Sequence, residues 1–95
     1  MNPISITEKA ATEITGIINQ KKVPEGYGLR VVAQGGACAG VNFTLGFDEK
    51  NDGDEAYTIE GVPVYISKKQ FMHILGVKID FIDTAEVRGF VFKKD

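Results

Sequence analysis

"VNFTLGFDE", residues 41–49, sends Val41, Phe43, Leu45 and Phe47 to one side of an extended chain and Asn42, Thr44, Gly46 and Asp48 to the other. A period of two over this length is the pattern of a strand with one face on a core. Upstream, "GLRVVAQ" carries β-branched and apolar residues between glycines, which predicts a strand from about Leu29 to Ala33. The segment between these strands, "QGGACAG" (residues 34–40), therefore connects strand to strand as a loose hairpin loop.

Further out, Ser5 or Thr7 can cap a first helix, and Ser5 with Glu8 matches a capping box. That helix begins near Thr7, carries Ala10, Ala11, Ile14, Ile17 and Ile18 as an apolar stripe, and ends near Gln20. Downstream, "DEKNDGDE" (48–55) reads as an acidic loop with a turn at "NDG". "YTIE" and "VPVYI" are two short strands around a turn at Glu60 and Gly61, and Pro63 pushes the second towards a sheet edge or a strand start. Ser67 is placed to cap a second helix, "KKQFMHIL", with Phe71, Ile74 and Leu75 on one face and Gly76 as terminator. The remainder reads as two strands around a polar turn at Thr84 to Glu86, with Phe90 and Phe92 on a shared face. Two helices and six or seven short strands, not alternating as βαβ units, predict an α+β fold, mostly β, in a single domain over residues 1–95.

Composition narrows the function. Apolar runs fall far short of the roughly 20 residues that span a bilayer, and the N-terminus lacks a basic-then-apolar signal pattern. A cytoplasmic protein without membrane contact is the expectation. The net charge of −2 removes the general electrostatic attraction for nucleic acid, so no nucleic-acid partner is expected. With one cysteine there is no internal disulfide, which fits a reducing compartment.

That cysteine, Cys38, lies in the hairpin loop. A lone cysteine is commonly a small buried hydrophobe. Here its neighbours Ala37 and Ala39 are too small to shield it, and backbone amides of a glycine loop favour a thiolate suited to soft metals. Other readings of the same residues are weaker. A phosphate-binding loop needs a lysine and a following helix, whereas a strand follows here. A thiol enzyme needs a base, and the one histidine, His73, falls off the apolar stripe of its helix and reads as a surface imidazole. An EF-hand register starting at Asp48 puts Lys50 third and Ile59 twelfth, where a bidentate Glu is required. "RGFVF" (88–92) has Val91 where the RNA-stacking strand of RRM domains needs Gly or Ala, so Phe90 and Phe92 are core residues.

Taken in order, "ISITEKAATEI", "YGLRVVAQGGACAGVNFTLGFDE", "VPVYIS", "ILGVKIDFID" and "RGFVF" resemble the HesB-like, or A-type, iron–sulfur cluster carrier (IscA-like) family over nearly the whole chain. The family's "GGCSG" loop corresponds to Gly36, Ala37, Cys38, Ala39 and Gly40. The resemblance implies a HesB-like domain with two small sheets, an N-terminal helix and a short second helix. In the family, the loop cysteine and two more in a C-terminal "CGC" segment bind iron or an iron–sulfur cluster, usually between subunits, for delivery to apo-proteins. Only Cys38 carries over; after "GFVF" this chain reads "KKD", and Ser67 stands where the family favours an aspartate. The resemblance thus implies an atypical, non-enzymatic carrier or accessory protein of iron–sulfur cluster assembly. Cys38 is then its metal- and cofactor-binding residue, holding iron or a labile [2Fe–2S] cluster with ligands from outside the chain. Expected partners are assembly proteins or apo-targets, together with a homodimer. The alternatives are a non-metal-binding interaction or regulatory module on the same fold, and a thiol-dependent enzyme.

Overall fold

The computed structural model describes residues 2–35 and 42–94. Its elements follow in the order β1 (Ser5–Ile6), α1 (Glu8–Gln20), β2 (Tyr27–Gln34), β3 (Asn42–Glu49), β4 (Asp54–Ile59), β5 (Val62–Ser67), α2 (Phe71–Ile74), β6 (Val77–Asp83) and β7 (Arg88–Lys94). They form a three-stranded sheet, β1-β6-β7, and a four-stranded sheet, β3-β2-β5-β4. This is the mostly β, α+β arrangement with two small sheets that the residues and the family resemblance imply.

The alternation in 42–49 appears as half-buried Phe43, Leu45 and Phe47 against exposed Asn42, Thr44, Gly46 and Asp48; Val41 lies outside the described residues. β2 and β3 pair antiparallel without a break from Tyr27↔Glu49 to Gln34↔Asn42, so residues 35–41 are the hairpin connection. β4 and β5 form a tighter hairpin. Glu60 and Gly61 both take left-handed backbone angles (φ 51° and 78°), the geometry that lets two residues reverse a twisted pair. β5 is an interior strand, so Pro63 is not at an edge. It is the second residue of β5 and precedes Val64, where pairing with β2 begins, so no rung with β2 asks for its missing N–H. The acidic loop is also shorter than expected, since Asp48 and Glu49 belong to β3 and Asp54 and Glu55 to β4.

α1 is capped by Thr7, whose Oγ1 accepts from the Ala10 N–H at 3.1 Å and donates to Asp80 at 2.8 Å. The capping box from Ser5 does not form. Ser5 lies in β1, paired parallel to Lys78, because the backbone there is needed to extend the β6 sheet. Ala10, Ala11 and Ile14 are buried and Ile18 packs against them, which lays α1 over β5 and β6 and closes both sheets around one core. Inward residues of every layer meet there, among them Leu29, Val31, Val64, Ile66, Val77 and Ile79.

The second helix is a single turn rather than the eight-residue segment from Lys68 to Leu75. Ser67 ends β5 in register with Asp54, and its hydroxyl accepts only from the Lys69 N–H at 3.3 Å. Gln70 takes the cap position without capping, Ile74 is buried, and Leu75 turns outward, 43% exposed. Gly76, at φ 90°, ends the turn as expected, and its N–H donates to the Pro3 carbonyl at 2.8 Å.

Candidate functional site

Cys38 and the neighbouring residues 36–41 lie outside the described residues, so the candidate site is defined by the framework that holds the two ends of that loop. The incoming end is β2. Its pairing with β5 covers only Leu29↔Val64 and Arg30↔Tyr65, which leaves the β5 side of Ala33 without a strand. The Gln70 side chain fills that place. Its Oε1 accepts from the Ala33 N–H and its Nε2 donates to the Ala33 carbonyl, both at 3.1 Å. A primary amide presents the donor and acceptor of one peptide group, so it can stand in for a strand residue.

The outgoing end is β3, where Phe43 packs on Phe92 of β7 with ring centroids 5.6 Å apart. This contact joins the two sheets at the start of β3 and brings the last residues of β7 there. Lys94 then donates from Nζ to the His73 carbonyl at 2.8 Å, tying the end of β7 to α2. Three segments distant in sequence, the β2–β3 ends, α2 and the end of β7, are thus linked to one another. His73 is exposed, as its spacing predicted.

In the middle of β2, Arg30 organises the carboxylates. Its Nη1 and Nη2 donate to the two oxygens of Asp54 at 2.9 and 2.6 Å, and Nη2 also reaches the Glu49 carbonyl at 2.8 Å. Nε lies 3.3 Å from Asp48 as an ion pair without hydrogen-bond alignment. Asp54 is 5% exposed, accepts the Asn51 N–H at 2.8 Å, and has its carboxyl held down at about 2, first by the hydrogen bonds from Arg30. Two carboxylates of the acidic segment are therefore engaged by a guanidinium, which fits the rejection of an EF-hand. The sequence pattern puts Asp54 in a loop; its partner lies 24 positions away, and only the shared sheet brings them together. Asp80 is likewise lowered, by the hydrogen bond from Thr7 and then by the Phe81 N–H. Among the described residues, no three His, Cys, Asp or Glu side chains gather into a metal-holding group.

Residues 2–95 match the family described as iron–sulphur cluster biosynthesis. The chain belongs to that family. It is similar to the iron–sulfur cluster insertion protein ErpA of Hydrogenovibrio crunogenus, 33% identical over 92 residues, covering 96% of this chain and 80% of that one. Among solved structures, SufA of Escherichia coli, involved in biosynthesis of iron–sulfur clusters, superposes with a TM-score of 0.79 at 23% identity, covering 96% of this chain and 79% of SufA. IscA with its [2Fe–2S] cluster gives 0.77 at 18% identity, over 96% and 84%. Those two likenesses concern the fold, and they agree with the two-sheet architecture.

Membership in the A-type carrier family directs attention to the loop framework rather than to the Arg30 cluster. Gln70 and the Phe43–Phe92 contact are the residues sequence reading missed there. Alternation predicts Phe92 as a core residue, but nothing local signals its partner across the sheets, Phe43. Gln70 sat in a predicted helix, where a glutamine is ordinary.

Proposed function

We propose that this chain is a non-enzymatic carrier in iron–sulfur cluster assembly that holds iron or a [2Fe–2S] cluster as cargo through the Cys38 thiolate. The family match over residues 2–95 supports this reading. Clusters of this kind are held by about four protein ligands. Cys38 supplies one thiolate and a symmetric pair of chains two; the others come from outside these 95 residues, from glutathione, a partner or further protein. Cargo held this way is labile, as transfer requires. Hand-over is ligand exchange: an acceptor thiolate bonds to iron as the bond to Cys38 breaks, with no net change of oxidation state. Cys38 must stay a free thiol, which places the protein in a reducing compartment such as the cytosol. Its partners are cluster donors and apo-targets.

Anaerobic reconstitution with iron, sulfide and glutathione tests the proposal. Wild-type protein should develop visible sulfur-to-iron charge-transfer absorption and pass it to an apo-ferredoxin, and Cys38→Ala should do neither. Equal absorption in wild type and Cys38→Ala, or none in wild type, would overturn the assignment.

A further inference from the structure

Three large apolar side chains are exposed among the described residues, Met72 (74%), Leu75 (43%) and Val87, and two of them stand three positions apart at α2. They are not isolated. Tyr57 and Phe71, both half-buried, form a ridge with a cleft on either side, Met72 lining one and Leu75 the other. An apolar surface with a concave shape of this kind marks contact with another molecule.

The charge around it says what kind. Between Ser67 and Gly76 the sequence has Lys68 and Lys69 and no Asp or Glu, in a chain whose net charge is −2. Lys68 is paired to Glu55 at 3.7 Å, Lys69 is exposed, and the Lys94 ammonium sits on the His73 carbonyl at the end of α2. Glu55 is thus the one acidic side chain that lines either cleft. A second copy docked by the same face would set this cationic rim against itself across a two-fold axis, so self-pairing is disfavoured here. A lipid surface is disfavoured too, because a one-turn helix offers only two protruding apolar side chains and the clefts suit inserted side chains rather than a flat bilayer.

We propose that the Tyr57–Phe71–Met72–Leu75 surface is a docking site for an acidic segment of a partner protein bearing large apolar side chains, the apolar groups entering the two clefts and the carboxylates meeting Lys69 and its neighbours. The site does not depend on Cys38 or on bound cargo. Because Gln70 ties the start of α2 to Ala33, a segment docked there lies near the end of β2.

The probe is a fluorescein-labelled synthetic peptide of about 14 residues, alternating Glu and Leu pairs so that it can present an acidic amphipathic helix. Binding to the full chain is followed by anisotropy and by 15N chemical shifts. A Kd between about 10 and 300 μM is expected, weakening several-fold from about 50 to 300 mM salt, with shifts centred on 55–57 and 68–75. The exposed double variant Met72→Ser/Leu75→Ser should weaken binding about 10-fold, and Lys69→Glu about 3-fold, with far-UV circular dichroism unchanged. Cys38→Ala should bind as wild type, which separates this site from the cargo proposal. Four results would overturn it: no binding below about 1 mM, binding indifferent to the double variant, preferential binding of phosphatidylserine vesicles over the peptide, or a dimer in sedimentation that the double variant dissolves.

Discussion

Arg30 and Asp54 show how much one side-chain pair can carry in a chain of this size. Asp54 has 2% of its side chain exposed, yet it keeps its charge, because the guanidinium fork satisfies both carboxylate oxygens and Asn51 adds a backbone donor. Its folded-state carboxyl titrates at about 2, against an ordinary 3.8, so the pair stabilises the fold fully above about pH 5 and loses that contribution as pH falls through 4 towards 2. A displacement of this size corresponds to roughly 2 kcal/mol, less whatever nearby water screens. Arg30→Met should cost about 2–4 kcal/mol at pH 7, since it leaves a buried carboxylate without its partner. The deficit should shrink towards pH 3.5, where the variant relieves its isolated charge by taking up a proton, while the wild-type pair stays ionised in the fold but contributes less because the unfolded carboxyl is by then largely protonated. Urea unfolding of both proteins at pH 7, 5 and 3.5 measures this, and a deficit that stays constant with pH would contradict the assignment. None of it was legible locally: Arg30 sits in a predicted strand and Asp54 in a predicted loop, and the bond between them exists only once β2, β5 and β4 lie side by side.

At the scale of elements, strands were legible where one face meets the core and the other meets water. β3 is the clearest case, and β2, the β4–β5 hairpin and β7 follow from the same alternation and from turn residues able to take left-handed angles. Helix ends were less legible, because capping residues occur wherever chains turn. Ser5 and Ser67 both look like caps, but each lies in a strand, where the ladder takes their backbone groups. Thr7 is the working cap and does more than cap. Its N–H donates to the Ile79 carbonyl at 2.9 Å and its hydroxyl to Asp80, so it closes α1 and pins it to β6 with one residue. Thr7→Ala should therefore destabilise by about 1–2 kcal/mol, whereas Ser5→Ala should stay within about 0.5 kcal/mol. Thermal unfolding of the two variants decides between the caps, and equal losses would restore the capping box. The truncation of α2 has a related cause. Gln70 gives its amide to Ala33 rather than to the helix start, and residues 68–70 form tight turns, with the Gln70 N–H on the Ser67 carbonyl at 3.0 Å, instead of an α-helical turn.

In the whole molecule, one core serves two sheets, and the remaining question is what keeps the sheets in fixed relation at the end where β2 stops and β3 begins. α1 closes the opposite side, over β5 and β6, and cannot do this. The Phe43–Phe92 contact and the Gln70–Ala33 clamp do, one from each side of the hairpin, and the clamp is the cleaner to test because it involves little apolar burial. Ala33 hydrogen-bonds on the β5 side to Gln70, beyond the last rung with β5, so its amide has no second partner on that side. Gln70→Leu removes the acceptor while keeping a similar size. The clamped bonds join half-buried groups, each worth about 1 kcal/mol net, so global stability should fall by no more than about 1–2 kcal/mol. Local opening at Ala33 is a different matter, because exchange there needs only the end of β2 to part from α2. Amide hydrogen exchange at Ala33 should quicken about 10-fold or more, with the exchange of Val31 and Ile79 in the core changed only as far as global stability changes. Reaction of Cys38 with a disulfide reagent in the metal-free protein should alter in the same variant, since the thiol is carried five residues beyond the clamp. Unchanged protection at Ala33 would mean that the β2–β3 ladder alone holds the loop, and that α2 contributes a surface to this end of the molecule but no restraint.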